Sequence, residues 1–361
     1  MPNGSLQHRI HRITGFGSAR EAAEKELDSQ GIVLPFPQRG EWHQAIGEWS
    51  SALVVASDAE GRARAAAGIG IGRSRALPWH CIYQVERLAS SETDVEVALV
   101  NGIADAAHSD PFCIRVRLGI FEPDPERRLR LGTLLGECGF IKAQQPERYR
   151  RTPSLDLQAS EEQLFSKVAS SARRNVRAPA KRGFQLVPLT DPSYAGRLEE
   201  LMDESFRRTG GTAIQLPWET ILQRSGHSPN RSRVIGLFKP SEVAPSGLIA
   251  FAWGCVNGNY VTYEAGAATR QESLGNLPLA YAPLWDLIAW AKRIGATWFD
   301  FGGVPAVDET ATADPLSGIS DFKRFFCERI IEVRDEWTLE PRPVRGMIAR
   351  KVSAAAQRFL R

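Results

Sequence analysis

Apolar and polar positions follow two different spacings along this chain, and together they predict a mixed α/β protein. Alternating or continuous apolar runs predict strands, and apolar residues three or four positions apart predict helices. In the first half, predicted helices cover 19–27, 95–108 and 124–137, and predicted strands cover 51–57, 65–71, 79–88 and 112–120. Gly139 is expected to end the last of these helices, and Phe140 to open a further strand.

The second half repeats the helix, strand, helix, strand order that closes the first half, which favours a duplicated domain. Predicted helices cover 160–178, 191–208, 277–294 and 318–326, and predicted strands cover 184–189, 233–237, 247–256, 260–267, 297–301 and 329–337. Ser160 and Gln163 form a capping-box pattern, and Asn257-Gly258-Asn259 is typical of a tight hairpin turn.

These elements, with the segment RRTPSLD at 150–156, predict the domain organisation. We expect a polar N-terminal segment at 1–30, a first domain at 31–150, a second domain at 151–340 and a basic C-terminal helix at 341–361. A length of 361 residues fits two domains of ordinary size.

The composition of the chain argues against several classes of protein but does not identify a function. Hydrophobic residues make up 43% and charged residues 24% of the chain, and the net charge of +3 is too small to indicate nucleic-acid binding by itself. No apolar run approaches about eighteen residues, so neither a transmembrane segment nor a secretory leader is expected. Five widely spaced cysteines without a CxxC pair predict reduced thiols and a cytoplasmic location. The histidines form no metal-ligand pattern, so no metal is expected.

The first candidate for chemistry is a basic run without acidic residues, SARRNVRAPAKR. Its basic members are Arg173, Arg174, Arg177, Lys181 and Arg182. On a helix, positions 173, 177 and 181 share a face, so the run predicts either a phosphate-binding stripe or an ordinary solvated surface. Pro179 is expected to kink or end that helix.

Two later segments combine unusual residue types. In FDFGGVP, the Gly302-Gly303 pair lets the backbone approach a ligand, and Asp300 stands in an apolar strand. Asp300 either holds a substrate amine or acts as a base, or it is a structural carboxylate that accepts backbone hydrogen bonds. In GISDFKRFF, Lys323 follows Phe322 and precedes two further phenylalanines. Lys323 either stabilises developing negative charge in a dry site or extends its ammonium into solvent.

Two glycine-containing segments resemble phosphate-binding loops, but each lacks one glycine of the motif. GIGIG at 68–72 is followed by Arg73 where the dinucleotide-binding motif needs glycine, so we expect a strand or turn there. RQESLG at 270–275 is similar to the loop with which acyl-CoA acetyltransferases hold pyrophosphate, with Ser273 at its first glycine position. The sequence contains no GxSxG elbow and no P-loop, which favours amide formation without a covalent enzyme intermediate.

Several segments, taken in order, resemble the FemABX family of aminoacyltransferases. They are TPSLDLQASEEQLFSKVASSARRNVRAPAKRGFQL, YEAGAA, LPLAYAPLWDLIAWAKRIGATWFDFGGVP and GISDFKRFF in the second half and, more weakly, PFPQRGEW and GECGFIKAQQPERYRRT in the first. The resemblance spans roughly residues 35–340. It implies two tandem GNAT-like acyltransferase domains, each a mixed twisted sheet flanked by helices, without the coiled-coil arm that some members carry.

The resemblance also implies an activity, the transfer of an amino acid from aminoacyl-tRNA to an amine, commonly on a peptidoglycan precursor. It gives Lys323, preceded by Phe322, the role of steadying the oxyanion or the leaving 3′ oxygen, and Asp300 is then expected to hold the attacking amine. The expected acceptor-binding residues are Arg208, Tyr263, Glu264, Gly302 and Gly303, and the expected tRNA-binding residues are those of the basic run. No cofactor is implied beyond aminoacyl-tRNA as co-substrate.

The sequence leaves donor and acceptor open. GEWHQAIGEW lacks the lysine with which many family members grip the acceptor's diphosphate, so a peptide or antibiotic-like molecule stands beside a peptidoglycan precursor as possible acceptor. The 270–275 loop favours acyl-CoA as an alternative donor, and a non-catalytic binding module is a third hypothesis. The basic segment at 342–361 could contact the tRNA backbone or an anionic surface, or be a solvated terminal helix.

Overall fold

The chain divides into two compact units. A computed structural model describes residues 9–89, 91–144, 149–208, 214–242, 244–270, 274, 277–304, 322–327 and 329–359. The first unit is Met1–Arg150 together with Glu332–Arg361, and the second is Arg151–Ile331.

The first unit is built on a seven-stranded mixed sheet. Numbered along the whole chain, its strands are β1 (Arg9–Thr14), β2 (Ser50–Ser57), β3 (Ala63–Arg73), β4 (Cys81–Leu88), β5 (Cys113–Phe121), β6 (Ile141–Lys142) and β14 (Arg334–Leu339), and its helices are α1 (Ser18–Ser29), α2 (Gly40–Ala45), α3 (Thr93–Ser109), α4 (Pro125–Glu137) and α10 (Pro343–Phe359). The strand order is β1-β2-β3-β4-β5-β14-β6, and only β4 and β5 pair in parallel. Leu99 of α3 and Leu135 of α4 share one buried core with Tyr83 and Leu118 of the sheet.

Predicted helices and strands of the first unit are confirmed to within a few residues. The edge strand β1, which pairs only with β2, was missed. Its residues are mostly exposed on both faces, so the sequence RIHRIT carries no clear alternation of buried and exposed positions. The short helix α2 was missed as well, because its six residues are too few to show a periodic pattern.

The C-terminal segment departs from the predicted domain organisation. The single strand expected at 329–337 is two strands, because the chain leaves the second sheet at Glu332 and β14 then pairs with β5 and β6 of the first sheet. Trp337 of β14 packs against Gly132 of α4. Residues 332–361 therefore belong to the first unit, where the sequence suggested a second domain to 340 and a separate terminal helix.

The second unit repeats the architecture with its own seven-stranded sheet. Its strands are β7 (Arg151–Asp156), β8 (Gln185–Leu189), β9 (Ser232–Phe238), β10 (Leu248–Asn257), β11 (Tyr260–Ala268), β12 (Trp298–Asp300) and β13 (Ile330–Glu332), and its helices are α5 (Glu161–Lys167), α6 (Ser170–Lys181), α7 (Ala195–Arg208), α8 (Trp218–His227) and α9 (Tyr281–Arg293). The strand order is β13-β7-β12-β11-β10-β9-β8, and β11 pairs with β12 in parallel. A core of Leu155, Leu287, Phe299 and Phe326 lies between this sheet and α9.

The helices of the second unit refine the predicted pattern. The capping box of Ser160 and Gln163 is confirmed at the start of α5. The helix predicted at 160–178 breaks at Val168 and resumes as α6, which contains Pro179 and ends two residues later. The predicted hairpin is confirmed, with Asn257 paired to Tyr260 across the turn. Of the helix predicted at 318–326, the structure describes residues 322–326, and 322–324 are helical, while 318–321 lie outside the described residues.

The glycine-rich segment GIGIG forms the middle of strand β3, in agreement with the prediction of a strand or turn. Its glycines let the segment after α1 lie directly on the strand. A Cβ on Gly68 would collide with the backbone oxygen of Gln38, and one on Gly72 would lie 2.8 Å from a carboxylate oxygen of Glu48. The pattern therefore reflects close packing of backbone on sheet, and a dinucleotide loop is excluded at this place.

None of the helices in the described part of the chain is long and apolar enough to cross a bilayer. The longest, α3 and α10, have 17 residues each, so no helix among the described residues is long enough for a coiled-coil arm.

Candidate active site

The candidate site lies in the second unit, where strands β11 and β12 part. Their parallel pairing ends with Thr262 opposite Asp300. β11 continues to Ala268, whereas the chain beyond Asp300 turns away through Gly302, whose φ of 77° is one that glycine adopts without strain. A register shift between β10 and β11 places Glu264 in a β-bulge just past the point of separation.

Asp300 lies at the point where the two strands separate. Its side chain is buried, and its carboxylate accepts hydrogen bonds from the hydroxyls of Thr152 (2.5 Å) and Thr262 (3.1 Å) and from the backbone N–H of Gly302 (2.8 Å). Three short donors from its own chain satisfy this carboxylate. These contacts match the alternative of a structural carboxylate, in which Asp300 joins β7, β11 and the turn at Gly302. The expectation that Asp300 holds the substrate amine or acts as a base stays a prediction.

Lys323 reaches the same turn from the helical residues 322–324. Its side chain is only 7% exposed, and its Nζ donates to the carbonyl oxygens of Gly302 (3.2 Å) and Gly303 (3.1 Å). Burial lowers the pKa of Lys323 to about 8, and the nearby charge of Asp300 opposes part of that effect. The alternative of an ammonium extended into solvent is excluded, because the ammonium is held inside the unit by two carbonyls.

Aromatic rings surround the helical turn that carries Lys323. The ring of Tyr281, at the start of α9, lies 4.8 Å from that of Phe322 and 5.5 Å from that of Phe326. The Phe326 ring is also 6.2 Å from that of Phe301, which directly precedes Gly302. These rings exclude water from one side of the lysine, and this keeps the local dielectric low and the ammonium weakly solvated.

Helix α6 is tied to this aromatic cluster through a polar contact. The Asn175 side chain lies near enough to the hydroxyl of Tyr281 to oppose part of the rise that burial gives the pKa of Tyr281. Asn175 is the asparagine inside the basic run, so the tRNA-binding candidates and the lysine site are connected through one contact. Sequence reasoning missed Thr152, Thr262 and Tyr281, because hydroxyl residues scattered over three elements form no motif.

The basic residues of α6 are displayed as the sequence predicts. Ala172 and Pro179 are buried on the inner face of the helix. Outside, Arg174, Arg177, Lys181 and Arg182 are exposed and Arg173 is half-buried. The Arg173 guanidinium donates to the carbonyl of Ser166, and the Arg177 guanidinium lies 4.8 Å from the centre of the Phe165 ring. Among the described residues none of the five forms an ion pair, so their charges remain available.

Of the expected acceptor-binding residues, Gly302 and Gly303 lie at the lysine and Tyr263 lies beside them. The backbone oxygen of Tyr263 is 3.4 Å from where a Cβ on Gly302 would stand, so this glycine allows the close approach of two strands. The Tyr263 hydroxyl lies over Gly266, and burial raises the pKa of Tyr263. Glu264 occupies the bulge and is half-buried.

Arg208 lies apart from this group, at the far end of β11. It ends α7, and its guanidinium donates to the carbonyl of Ala268 (3.4 Å) and to the hydroxyl of Ser205 (3.3 Å). Six residues of strand separate Ala268 from Thr262, which corresponds to roughly 20 Å. Burial, and secondly the charge of Arg270, lower the pKa of Arg208, while the charge of Glu204 opposes them, so both arginines and this carboxylate lie near the start of the predicted 270–275 loop.

The start of that loop is fixed by a carboxylate. Glu204 of α7 accepts hydrogen bonds from the Thr269 hydroxyl (2.9 Å) and from the backbone N–H of Arg270 (3.0 Å). Residues 271–273, 275 and 276, including Ser273, lie outside the described residues. The described flank of the loop therefore carries two arginines beside one carboxylate.

The buried lysine has a measurable effect on stability. Between pH 8 and pH 10.5 the unfolded chain keeps a proton on Lys323 that the folded protein has released. The free energy of unfolding of the wild type should therefore rise with pH, relative to Lys323→Met, by about 3 kcal/mol over this interval. Urea unfolding of both proteins at a series of pH values measures the difference, and parallel curves would show that Lys323 titrates normally.

Comparisons with known proteins agree with this architecture. No protein-family model and no curated protein sequence matches the chain. The crystal structure of FemX superposes with a TM-score of 0.72 at 14% sequence identity, covering 94% of this chain and 100% of that chain. The structure of L-PGS from Bacillus licheniformis gives a TM-score of 0.54 at 13% identity, covering 92% of this chain and 96% of that one. The chain thus has the fold of FemX, two tandem GNAT-like domains, each a mixed sheet flanked by helices.

Proposed function

We propose that this chain is an aminoacyltransferase that moves an amino acid from aminoacyl-tRNA to an amine of a peptide-type acceptor. The observation that carries the proposal is the buried ammonium of Lys323 at the parting of β11 and β12, in a chain with the fold of FemX. The ordered segments that resemble the FemABX family support it, since they include the strand, the glycine pair and the lysine that build this site.

Lys323 supplies electrostatic stabilisation in this mechanism. The acceptor amine attacks the ester carbonyl, a C–N bond forms, and the carbonyl oxygen becomes an oxyanion. Two of the three N–H groups of the ammonium are used by Gly302 and Gly303, which leaves one for that oxyanion or for the leaving 3′ oxygen. The C–O ester bond then breaks, and the proton released by the amine passes to the 3′ oxygen.

The protonation state of Lys323 suits this role. A pKa of about 8 leaves the ammonium charged at neutral pH while its burial keeps it poorly solvated. A poorly solvated cation interacts strongly with charge that develops beside it, and little reorganisation is needed during the reaction. The carboxylate of Asp300 already accepts three hydrogen bonds from its own chain, so the proposal assigns no proton transfer to it. The reactivity of the ester and the positioning of the amine then supply most of the rate.

The exposed cations of α6 are the proposed contact for tRNA phosphates. They stand on the helix whose Asn175 contacts Tyr281, so an RNA bound along α6 passes close to the lysine site. Tyr263, Glu264 and the glycine pair are the proposed acceptor-side residues, and a peptidoglycan precursor amine or an antibiotic-like peptide is the proposed acceptor. The donor places this activity in the cytoplasm, where charged tRNA is available.

A second candidate, an acyl-CoA-dependent N-acyltransferase, is favoured by Arg208 and Arg270. Arg270 begins the 270–275 loop and Arg208 contacts the strand just before it, where GNAT-type enzymes would place a pyrophosphate. Both donors are phosphate-rich carriers of an activated acyl group, so the same arginines fit either one. The two candidates differ in whether the reaction needs RNA.

The direct test incubates the protein with a pool of charged tRNAs and candidate amines, and follows acceptor mass by mass spectrometry. We expect a gain of one amino-acid residue that disappears after RNase treatment and falls about a hundredfold to a thousandfold in Lys323→Met. Lys25→Met, at an exposed position in α1, is the matched control and should keep full activity. Transfer that resists RNase and requires acyl-CoA would favour the second candidate, and binding without any mass gain would contradict both.

The role of α6 is tested by reversing its charge. Arg174→Glu combined with Lys181→Glu should raise KM for aminoacyl-tRNA about tenfold or more at low salt and reduce its salt dependence, because phosphate contacts release fewer counterions. The value of kcat should change little, since neither residue contacts Lys323. Lys25→Glu, a single charge reversal at an exposed position outside α6, is the control. An unchanged KM in the double variant would remove α6 from the RNA-binding surface.

A further inference from the structure

Helix α10 exposes its larger apolar side chains. Val344 is 66% exposed, and Met347, Ile348 and Val352 are each between 42% and 43% exposed. Positions 344, 348 and 352 follow one another at four-residue spacing, and 347 adjoins them, so they form one stripe along the helix. An amphipathic helix normally turns such a stripe into the core, and α10 does the opposite.

The buried face of α10 explains this orientation. It consists of small residues, Gly346 and Ala349, on the opposite side of the helix. A Cβ on Gly346 would lie 2.6 Å from a carboxylate oxygen of Glu340, so the helix can pack closely only through this glycine. Larger side chains would not fit on the buried face of α10. The apolar stripe therefore faces solvent.

Neighbouring aromatic residues extend the stripe. Arg345 of α10 contacts the His80 imidazole (3.3 Å) and the carbonyl of Pro111 (2.8 Å). The His80 ring lies 6.3 Å from that of Phe112, which is 48% exposed. Trp79, next to His80, is 85% exposed and has a φ of 66°, a backbone region that bulky residues seldom adopt. We call Trp79, Phe112, Val344, Met347, Ile348 and Val352 together the α10 surface.

The basic residues around the α10 surface indicate which kind of partner it binds. Residues 341–361 contain six basic and no acidic side chains. Glu340 pairs with Arg115 and Arg350, whereas Lys351, exposed beside the stripe, has no ion pair among the described residues. A second copy of the chain would bring these cations against each other, and RNA would leave the aliphatic stripe in water. A bilayer with anionic headgroups satisfies both the apolar stripe and the cations.

We propose that the α10 surface docks on an anionic phospholipid bilayer, with α10 lying in the plane of the interface. Val344, Ile348 and Val352 enter the boundary between headgroups and acyl chains, while Lys351 and Arg345 reach lipid phosphates. Trp79 and Phe112 take the interfacial depth that aromatic side chains prefer. The proposal goes beyond the transfer reaction and does not depend on it.

Vesicle flotation of the full chain tests the proposal. The vesicles are phosphatidylcholine alone, or phosphatidylcholine with an equal part of phosphatidylglycerol. We expect binding to the anionic vesicles only, weakened by salt. Val344→Glu combined with Ile348→Glu should lower the affinity roughly tenfold or more, because two apolar contacts are lost and two like charges are added. Leu129→Glu, at a 72% exposed leucine of α4, is the control for a glutamate placed at an exposed apolar position elsewhere, and it should bind as the wild type does.

Three results would overturn the proposal. Equal binding by the wild type and the double variant would show that the stripe is not the contact. A wild type that binds no vesicles but elutes as a dimer, which the double variant converts to a monomer, would make the surface an interface between copies. Loss of tRNA binding in the double variant without any vesicle binding by the wild type would assign the surface to RNA. Circular dichroism of each variant checks that the fold is retained.

Discussion

The ammonium of Lys323, held by the carbonyl oxygens of Gly302 and Gly303, is the interaction on which the site depends. A buried cation is costly unless hydrogen bonds and opposite charge surround it. The chain provides both, since two carbonyls accept from Nζ and Asp300 adds a negative charge nearby. These contacts offset only part of the cost of burying the ammonium, because the pKa of Lys323 is lowered. The ammonium therefore still gains free energy when a reacting oxygen develops negative charge beside it.

The surrounding fold keeps the two carbonyls in place. Asp300 joins β7 through Thr152, β11 through Thr262 and the glycine turn through the Gly302 N–H. The Asp300 carboxylate therefore holds the glycine turn in place, and the carbonyls of that turn hold Lys323. The parting of β11 and β12 gives the turn its space, and the rings of Tyr281, Phe322 and Phe326 close one side to water. Residues distant in sequence thus act as one unit around a single ammonium.

The sequence predicted most of the local structure, and the role it assigns to Lys323 stays a prediction. The strands around GIGIG, the Ser160 cap and the Asn257–Tyr260 hairpin have local causes, and local causes are visible in one sequence. The return of the chain to the first sheet after Glu332 was not predicted, because the pairing of β14 with β5 joins residues about two hundred positions apart. The hydrogen-bond partners of Asp300 were not predicted for a similar reason. Its partners Thr152 and Thr262 come from other strands, and only the folded sheet brings them to the carboxylate.

The most direct test of this account is the pH dependence of aminoacyl transfer in the wild type divided by that in Lys323→Met. The division cancels the titration of the acceptor amine, which both proteins share. A protonated Lys323 that stabilises an oxyanion predicts a large, constant ratio below pH 8, falling about tenfold for each pH unit well above it. A ratio that instead rises through pH 8 would show that the neutral amine acts as a base and would contradict the account.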